Sequence, residues 1–161
     1  MKTQRVFAGI ILLGFGAYIF LQQSTFTMLQ PYFTWPTLLI IVGIAFLFQG
    51  YGSKNADSIL PGVILTGFGL HFHLVNRISI WPDQIGMFIF IIALGFLLRS
   101  QKSGSGSFQG VLFLILSIIL LFYDDIINRL TFLKNSIIDV KYFVPGFCFL
   151  AGIYLLFIKR K

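Results

Sequence analysis

Six apolar runs joined by short polar connections take up most of this chain: roughly Val6 to Leu21, Pro36 to Phe48, Ile59 to Val75, Gln84 to Leu98, Phe108 to Tyr123 and Phe143 to Ile158. Each is near or slightly below the ~20 residues that carry a helix across ~30 Å of hydrocarbon, so short or tilted spans are expected. With 57% hydrophobic and 11% charged residues among 161, there is too little polar surface to cover a soluble globule of this size. The 20 phenylalanines fit lipid as solvent, since their rings face acyl chains without an unpaired polar atom. The expected fold class is all-α: a polytopic integral membrane protein with six short transmembrane helices arranged as three tandem hairpins. Re-entrant hairpins at the second and fourth runs are the competing reading.

Tryptophan is followed by proline twice, at Trp35-Pro36 and Trp81-Pro82, each time opening an apolar run. Tryptophan favours the level where hydrocarbon meets headgroups and proline favours the first helical position, so Trp35, Pro36, Trp81 and Pro82 read as interface anchors where helices enter the membrane. Pro61 and Pro145 also fall within the first turn of their runs, and Pro31 lies in a connection. No proline therefore interrupts a span, where a freed carbonyl would find no water. The first run is followed by Gln22-Gln23-Ser24-Thr25-Phe26, without a small-residue cleavage site, and is expected to stay as a helix.

Net charge is +7, and its distribution points to topology rather than to nucleic acid, which is not expected as a partner. With the amino terminus inside, the inner segments carry Lys2, Arg5, Lys54, Arg99, Lys102, Lys159, Arg160 and Lys161. The outer segments carry Arg77, Arg129, Lys134 and Lys141 together with Asp83, Asp124, Asp125 and Asp139. This asymmetry predicts a plasma-membrane protein with both termini cytoplasmic. The tail Lys159, Arg160 and Lys161 is expected to lie on anionic lipids of the inner leaflet, gaining about 1 kcal/mol per basic residue near the surface.

Repetition is the next constraint. The first run reads Gly9-Ile-Ile-Leu-Leu-Gly14-Phe-Gly16 and the third reads Gly62-Val-Ile-Leu-Thr-Gly67-Phe-Gly69, with identical glycine spacing. The fifth begins at Gly110 but loses the later glycines, and Pro145 to Gly152 repeats the offset from Pro36 to Gly43. Gly9 with Gly16, and Gly62 with Gly69, return to nearly one helix face after two turns. Such faces let backbones approach in lipid, and the first and third helices are expected to cross there.

The organisation that follows is a four-helix unit over residues 1–98, a flexible cytoplasmic linker over 99–107, and a third, diverged hairpin over 108–161. The linker reading rests on the run Ser100-Gln-Lys-Ser-Gly-Ser-Gly-Ser107. Between Asp124 and Lys141, Ile126, Leu130, Leu133 and Ile137 form one stripe, which predicts an interfacial helix at about 124–141.

Candidates for chemistry are few. His71 and His73 lie two apart on one helix, about 200° from each other, which suits neither a shared zinc nor a haem face. They read as interface histidines. Asp124-Asp125 could form an acid/base pair, but adjacent side chains diverge and a polar cap fits better. The single cysteine, Cys148, reads as a buried, inert side chain. No run carries a charge at its centre, which weighs against a proton pump, an ion-coupled carrier or an intramembrane hydrolase. No catalytic residue, metal or cofactor is expected.

The opening Lys2-Thr-Gln-Arg5-Val-Phe-Ala-Gly9-Ile-Ile-Leu-Leu-Gly14-Phe-Gly16, a polar turn, and Trp35-Pro-Thr-Leu-Leu-Ile-Ile-Val-Gly43 resemble the membrane region of LiaI/LiaF-type proteins of Gram-positive bacteria. Pro61 to Gly69 followed by Trp81-Pro82 repeats the pattern. The resemblance implies a role in cell-envelope stress, in which such proteins restrain a membrane histidine kinase or anchor a membrane-protecting partner. LiaF-type proteins also carry a soluble domain after their spans, whereas this sequence stops at Lys161, which shifts the expectation toward an anchor, accessory or regulatory component. It is expected to be non-enzymatic and to pack against a membrane protein, a peripheral coat protein or further copies of itself. The alternative is a small transporter or channel subunit, with Gly62, Gly67 and Gly69 lining the path.

Overall fold

The computed structural model describes residues 2–24, 30–52, 56–75, 77–123 and 143–157. Every described element is helical, and the chain divides into two compact units, Met1–Leu121 and Phe122–Lys161. The first contains α1 (Lys2–Gln23), α2 (Trp35–Gly52), α3 (Ile59–Val75), α4 (Ile85–Ser103) and α5 (Ser107–Leu121), with single 3-10 turns at Gln30–Tyr32 and Ala56–Ser58. The second contains α6 (Phe143–Phe157). The protein is a polytopic helical membrane protein. Gln4–Gln23, Trp35–Gly52, Ala56–Val75 and Ile85–Ser103 are each long and apolar enough to cross a bilayer. α5 and α6 have 15 residues each and reach about 22 Å, short of the hydrocarbon thickness. The interfacial helix expected at about 124–141, Asp124, Asp125 and the basic tail Lys159, Arg160 and Lys161 lie outside the described residues.

Within the first unit each helix packs antiparallel on the next. Phe7 lies tilted against Phe46, and Tyr18 meets Phe33, just before α2, edge-on, joining α1 to α2 with opposite directions. Gly50 meets Ile59 while Gly69 meets Ile40, which does the same for α2 and α3. Phe68 lies against Phe88 and Gly95 against Leu60, and then Phe96 stacks on Phe113 while Gly86 meets Leu121.

Small residues set how close these helices come. Pro36, Gly43 and Gly50 are buried at seven-residue spacing on α2 and all face α3. A Cβ at Gly69 would lie 2.7 Å from the Pro36 carbonyl oxygen, and one at Gly62 2.9 Å from the Leu47 nitrogen, so the backbones themselves are in contact. The pattern recurs one hairpin later. Gly86, Ala93 and Ser100 are buried on one stripe of α4, and Gly110 and Ser117 are buried on α5. A Cβ at Gly86 would meet the Leu121 nitrogen at 2.8 Å and the Ser117 carbonyl at 3.1 Å. In lipid, where apolar surface gains nothing by leaving water, such close van der Waals packing is what associates helices.

Three sequence-based expectations change here. α1 and α3 do not cross on their glycine faces: Gly62 and Gly69 meet α2, whereas among the described residues nothing comes within 4 Å of a Cβ at Gly9 or Gly16. α1 instead presents Gly14, where an added Cβ would strike the Ile41 side chain.

Residues 99–107 are not a flexible linker. α4 continues through Ser103, and Gly104 at φ 70 closes it by donating its N–H to the Ser100 oxygen at 2.8 Å. Gly106 at φ 101 completes the reversal into α5. The glycines that read as flexibility supply left-handed backbone for a tight turn, which the α4–α5 contact then fixes. The first unit accordingly ends after Leu121, not after residue 98. Cys148, expected buried, is free and exposed along α6.

Candidate functional site

Polar side chains converge at the end of the first unit that carries both Trp-Pro pairs. The two pairs are built differently. α2 begins at Trp35 itself, with Pro36 at its second position, where the missing N–H costs nothing. The 3-10 turn before it is closed by the Phe33 N–H on Gln30 O at 3.1 Å, and the Thr37 hydroxyl donates to Tyr32 O. α4 begins at Ile85, a full helical turn beyond Trp81, so Pro82 precedes the helix and does not occupy its first position. The physical reason is that Trp81 folds back onto α3: its Nε1–H donates to His71 Nδ1 at 2.9 Å, and its own N–H closes a turn on Ile78 O.

His71 is 0% exposed and ringed by Phe88, Phe72 and Trp81. Because an indole N–H can only donate, Nδ1 must accept, which leaves the neutral ring with its proton on Nε2. That Nε2 is buried without a hydrogen-bond partner, 3.8 Å from the Asp83 carboxylate, whose side chain is 73% exposed.

His73 takes the opposite side of α3, with Nε2 2.9 Å from Thr37 Oγ1. The Thr37 proton is already given to Tyr32, so Nε2–H of His73 is the donor. The two histidines thus latch α3 to different neighbours and share no ligand. Among the described residues there is no group of three His, Cys, Asp or Glu that could hold a metal ion.

Arg77 joins the two connections at this end. Its Nη2 donates to Pro31 O at 3.1 Å, and its guanidinium lies 4.0 Å over the Tyr32 ring. Trp35, 58% exposed, packs on Phe72 with centroids 4.8 Å apart. Between them is a recess of about 260 Å³ lined by Pro31, Thr34, Trp35, Pro36, Phe72, His73 and Arg77. Sequence reading singled out Trp35, Pro36 and His73 but missed Tyr32, Thr37 and Arg77, because no spacing links a turn before α2 to one after α3. At the opposite end Arg99 pairs with Asp57 at 2.7 Å, and Lys102 Nζ donates to Gly50 O at 2.6 Å and Tyr51 O at 2.8 Å, capping α2.

The hairpin that supplies most of this recess also has known relatives. Residues 6–47 match the family described as the LiaI-LiaF-like transmembrane region. The match runs from Val6 in α1 to Leu47 in α2, while α3 contributes His73, and Arg77 follows it, from outside the matched residues. Over 161 residues the chain is 28% identical to the uncharacterized membrane protein YsxD of Bacillus subtilis (strain 168), covering 100% of this chain and 98% of that protein. No solved structure matches.

Proposed function

We propose that this chain is a non-catalytic, multi-pass plasma-membrane protein that serves as an anchor or regulatory component of a bacterial envelope-stress system, working through a helix docked on α1. The LiaI-LiaF-like segment supports the setting. The docking mode rests on one observation: the face that is covered in α3 and α5 meets none of the described residues in α1. Gly62 with Gly69, and Gly110 with Ser117, lie against the small-residue stripe of the preceding helix. Gly9 and Gly16 have the same spacing and meet nothing among the described residues, with Leu12 and Leu13 between them 73% and 76% exposed. The covered faces pair antiparallel helices, so the partner helix runs antiparallel to α1 and carries small residues of its own. The transporter alternative draws no support from the glycines, since Leu47, Ile91 and Ile40 fill the space at Gly62, Gly67 and Gly69.

The test places a photo-crosslinking side chain at Leu13 in living cells that carry an envelope-stress reporter. A discrete adduct with one membrane protein is expected, lost together with normal reporter output in Gly9→Leu/Gly16→Leu. Capture of lipid alone with unchanged reporter output would refute the docking face.

A further inference from the structure

The recess beside Trp35 has the chemistry of an anion site at headgroup level, and we infer that it holds the phosphate of an anionic membrane lipid, gripped by Arg77. The position comes first: Trp35 is half-exposed at the start of α2, and tryptophan in such places marks the boundary between hydrocarbon and headgroups. A recess opening there meets phosphates, not acyl chains.

The charge comes second. Among the described residues no carboxylate pairs with Arg77: Asp57 is held by Arg99 at the other end, and Asp83 stands against His71. Stacking on Tyr32 uses one face of the guanidinium, and the bond to Pro31 O uses one of its five N–H groups. The plane is therefore fixed while the rest of the fork is left to donate. A planar, immobilised guanidinium suits two phosphate oxygens at once.

The walls come third. Thr34 adds a hydroxyl, the positive end of α2 faces the same space, and Pro31, Pro36, Phe72 and Trp35 provide apolar sides for a glycerol backbone. At about 260 Å³ the recess takes a headgroup and leaves the acyl chains in the bilayer. His73 closes the inner wall, its Nε2–H committed to Thr37. Arg99 and Lys102 at the far end differ in kind, because Asp57 and backbone carbonyls already engage them.

The full-length protein in nanodiscs of mixed phosphatidylglycerol and phosphatidylcholine tests this, with retained lipid counted by native mass spectrometry. Phosphatidylcholine is the control because its own ammonium neutralises its phosphate. One charge-assisted fork predicts a roughly ten-fold preference for phosphatidylglycerol, falling to parity in Arg77→Gln. Arg77→Lys keeps the charge without the fork and is expected to fall between, which covers the case in which Arg77→Gln does not fold. A parallel reading uses quenching of Trp35 by brominated phosphatidylglycerol in a Trp81→Phe background. Equal retention of the two lipids by the native chain, or a preference unchanged in both Arg77 variants, would overturn the assignment. Displacement of the lipid by millimolar inorganic phosphate would overturn the lipid as the source of the anion.

Discussion

His71 has no exposed surface, sits near the end of an apolar helix, and receives a proton donor from a residue ten positions on. A buried imidazole with an acceptor nitrogen left unmet would cost more than the hydrogen bond it makes, so the position of Trp81 is dictated by His71 as much as by the membrane surface. Trp81→Phe keeps the ring and removes only the N–H. It is expected to lower stability by about 1 kcal/mol, seen as a reduced Tm in detergent, whereas Trp35→Phe, whose indole N–H meets no acceptor among the described residues, is expected to leave Tm nearly unchanged. Equal effects would contradict the latch. The sequence already placed the two histidines on opposite sides of one helix, since that follows from the helical turn alone. Their partners were not legible, because a hydrogen bond between His71 and Trp81 depends on a loop that turns back rather than entering a helix.

At the scale of elements, contact distance is set by where side chains are missing. Gly43 lies under Thr66 and 3.0 Å from the Gly62 carbonyl measured from an added Cβ, while Gly52 in the same helix has nothing among the described residues within 4 Å. Gly43→Ala is therefore expected to destabilise the unit by about 1–3 kcal/mol, against a few tenths for Gly52→Ala, measured by denaturant titration in mixed micelles. Helix limits were readable to within a few residues because apolar runs, prolines and polar breaks agree, as at Pro36 and Ile59. The stretch 99–107 was misread for a physical reason: serine and glycine are the residues of flexible linkers and equally those of a left-handed turn. What decides between them is whether the flanking helices touch, and Gly110 against Leu97 is a contact that local composition cannot reveal.

Across the first unit, five helices run in alternating directions with small residues between successive pairs, Arg99 and Lys102 engaged at one end and, among the described residues, no carboxylate paired with Arg77 at the other. The same glycine motif therefore has two different surroundings. In α3 it lies against α2, whereas in α1 nothing among the described residues comes within 4 Å of a Cβ at Gly9 or Gly16, a division the sequence could not foretell because Gly9 to Gly16 and Gly62 to Gly69 read alike. The most direct measurement compares Gly9→Leu/Gly16→Leu with Gly62→Leu/Gly69→Leu, reading the Tm of the isolated protein and the yield of crosslinked partner in membranes. The expected result is that the α3 pair lowers Tm sharply, while the α1 pair leaves Tm intact and abolishes the crosslinked product. A Tm lowered equally by both pairs, or a complex that survives leucines at Gly9 and Gly16, would contradict it.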